Sequence, residues 1–382
     1  MQVRRLRNPN DGGGSCCQLL DDSVQPIAVV DGFLQHLAAR GYSPNTLLAY
    51  AYDLLHFMSF LNESNLTYCD FTAARSLAFL EYLRHINSRG ATRSSGPQLA
   101  VKGGQPIRRL AATTINRIFA AVSSFYEYLI LSDQWPNMAN PIQQEFDGES
   151  ARVPDGNRPF LSGISRQRPV RRIVRVRTIQ RIPRPMTREQ IEKLLGSLQM
   201  LRDKALVLLM LHGGLRPGEV LNLQMEDVQY GRRRVIIRHR TDHPRGVRTK
   251  SRTERVVDLY QAETLQTLNA YVMKERPQEV ESPYIFLVGG SGKRRGQPLS
   301  YHALVKMFER HCGRVNIRVP WITPHALRHT HATEMWEGGM RELTLQKRLG
   351  HSSPESTRSY TRVSDETVVA EYLQALGGQE KR

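Results

Sequence analysis

His325 and Arg328 stand three residues apart, directly after Thr323-Pro324, a cap and first-turn proline that open a helix. That spacing puts both on one helix face near the positive end of its dipole, a cradle suited to a phosphate. Arg216 follows the Gly213-Gly214 break and precedes Pro217, again at a helix start. His351 ends the run Arg348-Leu349-Gly350-His351 and is followed by Ser352-Ser353-Pro354, a further capped start. Nine residues beyond it, within that helix, comes the phenol of Tyr360. Arginine binds non-bridging phosphate oxygens bidentately, and two on one phosphate can neutralise a pentacoordinate transition state. Taken singly the signals are weak, because an arginine at a helix start is ordinarily surface charge and a helical tyrosine ordinarily core.

Two other patterns fail on spacing. Gly289-Gly290-Ser291-Gly292-Lys293 imitates a phosphate-binding loop, but that motif needs glycine where Leu287 stands and Ser or Thr where Arg294 stands. His325 and His329 are at i, i+4 like a zinc-protease pair, yet the general-base glutamate would fall on Ala326. Neither a nucleotide nor a metal is expected, and no cofactor.

The elements that must position these residues are set by a strongly basic chain. Its 382 residues carry a formal net charge of +18, which favours a polyanion, either nucleic acid or an anionic membrane face. The longest strictly apolar run, Ala205 to Leu211, has seven residues, against about 20 for a membrane span. Arg4, Arg5 and Arg7 are followed by a glycine-rich, acidic stretch without an apolar segment, so no signal peptide is expected. Cys16, Cys17, Cys69 and Cys312 form neither a disulfide framework nor a C-x-x-C pair. These features together predict a cytoplasmic, nucleic-acid-binding protein with no membrane role.

Residues 1–24 are expected to be a flexible N-terminus. A helical unit follows over 25–145. Val30, Phe33, Leu34 and Leu37 make one stripe ended by Gly41, and Ser43-Pro44 opens a second helix striped by Tyr50, Leu54, Phe57 and Leu61. A third helix is expected over Thr72–Ile86. After a Gly/Ser/Pro-rich loop, a fourth, capped by Thr113, is marked by Ile115, Phe119, Val122, Tyr126 and Leu129. Residues 146–184 read as a linker or extended arm on phosphates: between Ala151 and Arg184 there are ten arginines and one acid, half the net charge. Residues 185–382 mix helices with strands. Thr187 and Gln190 form a capping box. Arg234–Arg240 and Glu254–Leu259 alternate as a hairpin whose connection holds Lys250, and Tyr284–Val288 reads as a third strand. Helices are expected over Leu299–Cys312, Thr323–Glu337, Leu343–Leu349, Pro354–Arg362 and Glu366–Leu376. The fold class is mainly α with a small β-sheet.

The ordered set Arg216 with Glu219, Lys250 five before Arg255-Val256-Val257, His325-x-x-Arg328, Leu349-Gly350-His351 and Tyr360 resembles the tyrosine recombinase (phage integrase) family. The likeness covers residues 185–376, and the helical N-terminal half is similar to the family's SAM-like core-binding domain. It implies Tyr360 as the nucleophile on a DNA phosphate, giving a 3′-phosphotyrosyl bond and a free 5′-hydroxyl. It implies Arg216 and Arg328 on the non-bridging oxygens, Lys250 protonating the leaving 5′-oxygen, His325 assisting the phenol and His351 bonding the phosphate. Glu219 corresponds to a supporting carboxylate. A phenol of pKa about 10 needs such an environment to attack. The covalent bond conserves the phosphodiester energy, so joining needs neither ATP nor metal.

Two departures stand out. Val257-Asp258-Leu259 replaces the family's Val-Pro-Leu-like run, and the linker is long and basic for a minimal Xer-like enzyme. The residues before the first helix are too few for a separate arm-binding domain, so a two-domain recombinase of a transposon or prophage is expected. Its partners would be double-stranded recombination sites, on which it forms a homotetramer, with accessory proteins allowed. A terminal helix over Glu366–Leu376 would cover its own domain or dock into a neighbouring protomer. A type IB topoisomerase uses the same residue set, and a catalytically idle DNA-binding protein is the other alternative; relaxation of any supercoiled plasmid, or binding without nicking, would favour them.

Overall fold

The computed structural model describes residues 1–7, 15–86, 109–135, 139–142, 144–146, 170–178, 184–249 and 254–350. The chain divides into two compact units, Met1–Gln180 and Arg181–Arg382. Both are mainly helical with small antiparallel sheets.

In the first unit the residues expected to be flexible at the N-terminus instead hold a paired element. Strand β1 (Gln2–Arg7) runs antiparallel to β2 (Ser15–Leu20), with Val3 opposite Leu19. Cys17 and Leu19 are buried in the same core as the helices, and Leu20 is also inaccessible. The three glycines and the one charge, Asp11, between the strands conceal this in the sequence; three buried side chains give the pair its anchorage.

Helix α1 (Ala28–Ala39) buries Val30, Phe33, Leu34 and Leu37, the predicted stripe. Ser43 caps α2 (Pro44–Glu63) by accepting the Thr46 N–H, with Pro44 in the first turn. Helix α3 (Arg75–His85) starts three residues later than the expected Thr72. Helix α4 (Ala112–Leu131) starts at the uncapped Ala111, not at Thr113, and buries Ile115, Phe119, Val122, Tyr126 and Leu129. Phe57 meets Phe71 and Phe79 edge-on, with ring centroids 5.0 and 5.4 Å apart. Each such ring contributes about 1.5–3 kcal/mol by burial.

Part of the arginine-rich stretch is built onto this unit. Strands β3 (Gln144–Phe146) and β4 (Val170–Arg172) pair. Beyond them the Asn116 amide clasps the backbone of Val176 through both its N–H and its carbonyl, each at 2.8 Å. Val174 and Val176 pack on the bundle, and Arg175 and Arg177 are exposed.

In the second unit, Thr187 and Gln190 form the predicted box at the start of α5 (Arg188–Ser197). Helix α6 (Leu201–His212) buries every residue from Ala205 to Leu211 and is the central element of the core. A short α7 (Pro217–Leu221) follows. Strands β5 (Val228–Gln229), β6 (Arg234–Ile237) and β7 (Arg255–Asp258) form one antiparallel sheet with Val235 opposite Val257. The hairpin is shorter than its alternation suggests, because Arg240 turns away to pair with Asp227.

The third strand is β5 and not Tyr284–Val288. That apolar run is buried as far as Leu287, but its backbone bonds are divided among Leu223, the Tyr271 hydroxyl, Gly296, Gln297, Leu299 and the Arg276 guanidinium, so it makes isolated bridges and no ladder. Helices α8 (Ala262–Lys274), α9 (Tyr301–Arg314, opened by Ser300), α10 (Pro324–Glu337) and α11 (Glu342–Leu349) complete the described part. The helices expected over Pro354–Arg362 and Glu366–Leu376 lie outside the described residues. Among the described residues no helix is long and apolar enough to cross a membrane.

Candidate active site

Helix α6 stops at Gly213-Gly214, and two residues later Arg216 occupies the N-cap of α7 with Pro217 behind it. Glu219, at the third position of α7, folds back on that arginine. Its carboxylate accepts the Arg216 backbone N–H at 2.8 Å and the Arg216 Nη1 at 2.8 Å. The same carboxylate, 1% exposed, takes two bonds from Arg255 of β7, from Nη1 at 3.0 Å and from Nη2 at 2.8 Å. Arg328 Nη1 lies 3.8 Å away. Burial alone would raise the Glu219 pKa. The bonds and charge of Arg255, then the charges of Arg328 and Arg216, outweigh it and hold the carboxyl at about 2. One anion therefore fixes two guanidinium groups by hydrogen bonds and lies beside a third.

Arg328 sits one turn into α10, 3% exposed. Its Nη1 donates to the Gly214 carbonyl at 2.6 Å and its Nη2 to the Leu349 carbonyl at 2.7 Å. Arg216 Nη1 reaches that same Leu349 carbonyl at 3.5 Å, and its Nη2 donates to the Gly350 carbonyl at 3.2 Å. Two guanidinium groups 112 positions apart in the sequence thus meet at one carbonyl. The carbonyls belong to the C-terminal end of α11, the negative end of its dipole. Gly350 closes that helix at φ +65°, and a Cβ there would lie 2.7 Å from Arg255 Nη1. The close packing and the positive φ both require glycine.

His325 lies in the first turn of α10, half-buried, on the face that carries Arg328. His329, one turn on, has its pKa pushed down to about 4 by burial, then by His325 and Arg328. Among the six site residues expected from the sequence, Arg216 and Arg328 are brought together and His325 shares the Arg328 helix. Lys250, His351 and Tyr360 lie outside the described residues.

The structure adds a second group of arginine contacts. Arg255 Nε donates to the Arg348 carbonyl at 2.9 Å. Arg348 in turn reaches His331 Nε2 at 3.0 Å, the Asp258 carbonyl at 3.1 Å and the His212 carbonyl at 3.2 Å. Burial, then the Arg348 charge, pushes the His331 pKa down to about 3, which keeps its ring neutral and able to accept. Arg255 and Arg348 therefore tie the ends of α6, β7 and α11 to one another and to the middle of α10. The sequence presents both arginines beside motif residues, but their partners lie 36 and 17 positions away. No local spacing carries that signal. Chemically, fixed and partly desolvated guanidinium groups converging on one oxygen suit a developing oxyanion such as phosphate.

The comparisons with known proteins agree with this geometry. Residues 184–367 match the phage integrase family, and residues 30–132 match the phage integrase N-terminal SAM-like domain. The chain is 27% identical over 365 residues to transposase A of transposon Tn554 from Staphylococcus aureus, covering 95% of each chain. It is 25% identical to tyrosine recombinase XerA of Pyrococcus horikoshii over 88% of this chain and 89% of that one. The integrase of transposon Tn1549, solved with a circular intermediate DNA, shares the fold at a TM-score of 0.59 and 19% identity, covering 91% of this chain and 99% of that one. By the two family matches and by the motif residues it carries, the chain belongs to the phage integrase family, the tyrosine recombinases.

Proposed function

We propose that Arg216, Lys250, His325, Arg328, His351 and Tyr360 act as one catalytic set that cuts and rejoins DNA through a 3′-phosphotyrosyl intermediate. The enzyme is a tyrosine-type site-specific DNA recombinase. Its likeness to a transposon's transposase over nearly the whole of both chains supports an origin in a mobile element. The observation that carries the assignment of residues is the meeting of Arg216 and Arg328 at the Leu349 carbonyl, with His351 two positions further along the chain.

Tyr360 attacks phosphorus while the two guanidinium groups hold the non-bridging oxygens as charge builds on them. His325 accepts the phenolic proton, and His351 donates to a phosphate oxygen. Lys250 gives its proton to the departing 5′-oxygen. The free 5′-hydroxyl of a partner strand then attacks the phosphotyrosyl bond and restores a phosphodiester. The helical first unit, with Arg175 and Arg177 outward, grips the backbone of the duplex. Four protomers assemble on two paired sites, in the cytoplasm.

The test uses nicked suicide substrates made from the DNA flanking the element. The protein should form a covalent adduct visible on a denaturing gel, and Tyr360→Phe should form none. An adduct that survives the substitution would assign the nucleophile elsewhere. Sedimentation of the protein on paired sites should give four protomers per synapse; one protomer per site would contradict the tetramer.

A further inference from the structure

Half of the bonds on the Glu219 carboxylate go to a residue outside the catalytic set. A carboxylate offers about four acceptor positions on its two oxygens. Arg216 fills two of them, with its backbone N–H on Oε2 and its Nη1 on Oε1, each at 2.8 Å. Arg255 fills the other two, with Nη1 on Oε1 at 3.0 Å and Nη2 on Oε2 at 2.8 Å. The Arg255 side chain is itself 7% exposed, so neither partner of this fork is turned to water.

Arg328 stands just outside the pair. Its Nη1 donates to the Gly214 carbonyl at 2.6 Å and lies 3.8 Å from Glu219 Oε2. Closing that gap to a hydrogen bond takes a shift of about 1 Å. A buried carboxylate stripped of two of its four bonds is strongly unfavourable and draws in the next cation. Here that cation is Arg328, whose charge would then be committed to Glu219. Arg255 blocks this exchange by taking both vacant oxygens. It also donates through Nε to the Arg348 carbonyl at 2.9 Å, one residue before the Leu349 carbonyl on which Arg216 and Arg328 meet.

We propose that Arg255 is a positioning residue for strand cleavage: by occupying both oxygens of Glu219 it keeps that carboxylate from capturing Arg328, and so leaves both guanidinium groups of the oxyanion site to the scissile phosphate. The inference rests on Arg216 and Arg328 being the partners of that phosphate. The charge of Arg255 balances the charge of Glu219, and the other two guanidinium groups keep theirs for the charge that builds on the non-bridging oxygens.

The experiment measures single-turnover cleavage of the nicked suicide substrate by the full chain, Arg328→Ala, Arg255→Met, Arg255→Lys and the double variant Arg255→Met with Glu219→Gln. Protein is saturating, and the temperature is below the melting point of every variant compared. Arg255→Met should cleave about a hundredfold more slowly, the cost of a misplacement of about 1 Å, with DNA affinity little changed. Arg255→Lys brings a point charge that cannot span both oxygens. Its loss should be smaller, and it carries the comparison if melting shows that the methionine variant does not fold.

The double variant separates capture from simple packing. With a neutral amide at position 219 no anion is left to draw Arg328 away, so cleavage should rise about tenfold above that of the single variant, a coupling of the size found within one network. A residue that only packed the site would show no such relief, because the second substitution would add its own damage. Unchanged cleavage by Arg255→Met or Arg255→Lys, or a double variant no faster than the single one, would overturn the inference; a slow Arg328→Ala would then leave the phosphate assignment standing. Cleavage at the unsubstituted rate by Arg328→Ala would remove that assignment and the inference with it.

Discussion

Asp53 in the first unit and Glu219 in the second are both buried carboxylates, 2% and 1% exposed, but burial prevails at one and arginine at the other. Asp53 lies on α2, and its one charged partner among the described residues is Arg117 Nη1 at 2.8 Å, whose side chain is 51% exposed. Desolvation raises its pKa to about 7, and the one half-hydrated cation only moderates that. Glu219 has three guanidinium groups around it, two of them bonded, and is held at about 2. The difference lies in how many charges the fold concentrates on one anion. The first unit spends its interior on apolar packing, and the second keeps an ionic cluster at the proposed phosphate site.

The largest effect that would sharpen this contrast is on catalysis. Arg328→Ala should lower cleavage by about 10²–10³-fold, the usual cost of one oxyanion donor, with DNA affinity little changed. Asp53→Asn should leave the cleavage rate alone. Single-turnover rates on a nicked substrate measure both, and equal losses would erase the distinction.

Stability comes next. Glu219→Gln leaves guanidinium groups without their anion and should cost about 3–5 kcal/mol, the range for breaking a buried pair. Asp53→Asn removes a carboxylate that resists ionisation and should be neutral or stabilising at pH 8. Urea unfolding can separate the two units through their tryptophans, Trp135 in the first and Trp321 and Trp336 in the second.

The two carboxylates should also oppose one another in pH dependence. Glu219 has a folded pKa below its ordinary 4.5, so its stabilising contribution is complete above that value and is lost as pH falls toward about 2. Asp53 has a folded pKa above its ordinary 3.8, so its contribution is complete below that value and is lost as pH rises through about 7. Between pH 7 and 3 the Trp135 transition should strengthen relative to that of Trp321 and Trp336. Parallel movement of the two would show that these groups do not govern the response.

The smallest effect concerns the arm. Arg175→Ala and Arg177→Ala should each weaken DNA binding across all sequences and reduce the salt slope by about 1, leaving cleavage of bound DNA intact.

Legibility in the sequence follows the same division. The stripes of α1, α2 and α4 could be read because a single helix buries residues at a fixed period, and Ser43-Pro44 and Thr187 with Gln190 act within one turn. Arg216, His325 and Arg328 could be read because each stands beside a helix start. Arg255, Arg348 and His331 could not, since they join elements that only the tertiary fold brings together. The N-terminal strand pair was hidden behind glycines and charge, and Tyr284–Val288 was misleading because burial gave it a strand's composition without a strand's ladder.

The central claim is that the guanidinium groups of Arg216 and Arg328 serve one phosphate. Cleavage by Arg216→Ala and Arg328→Ala on a substrate whose scissile phosphate is a methylphosphonate tests it most directly, because a methyl group in place of one oxygen removes the charge the arginines would neutralise. Both variants should regain activity relative to the unsubstituted protein on that linkage. Recovery of only one of them, or of neither, would contradict a shared phosphate.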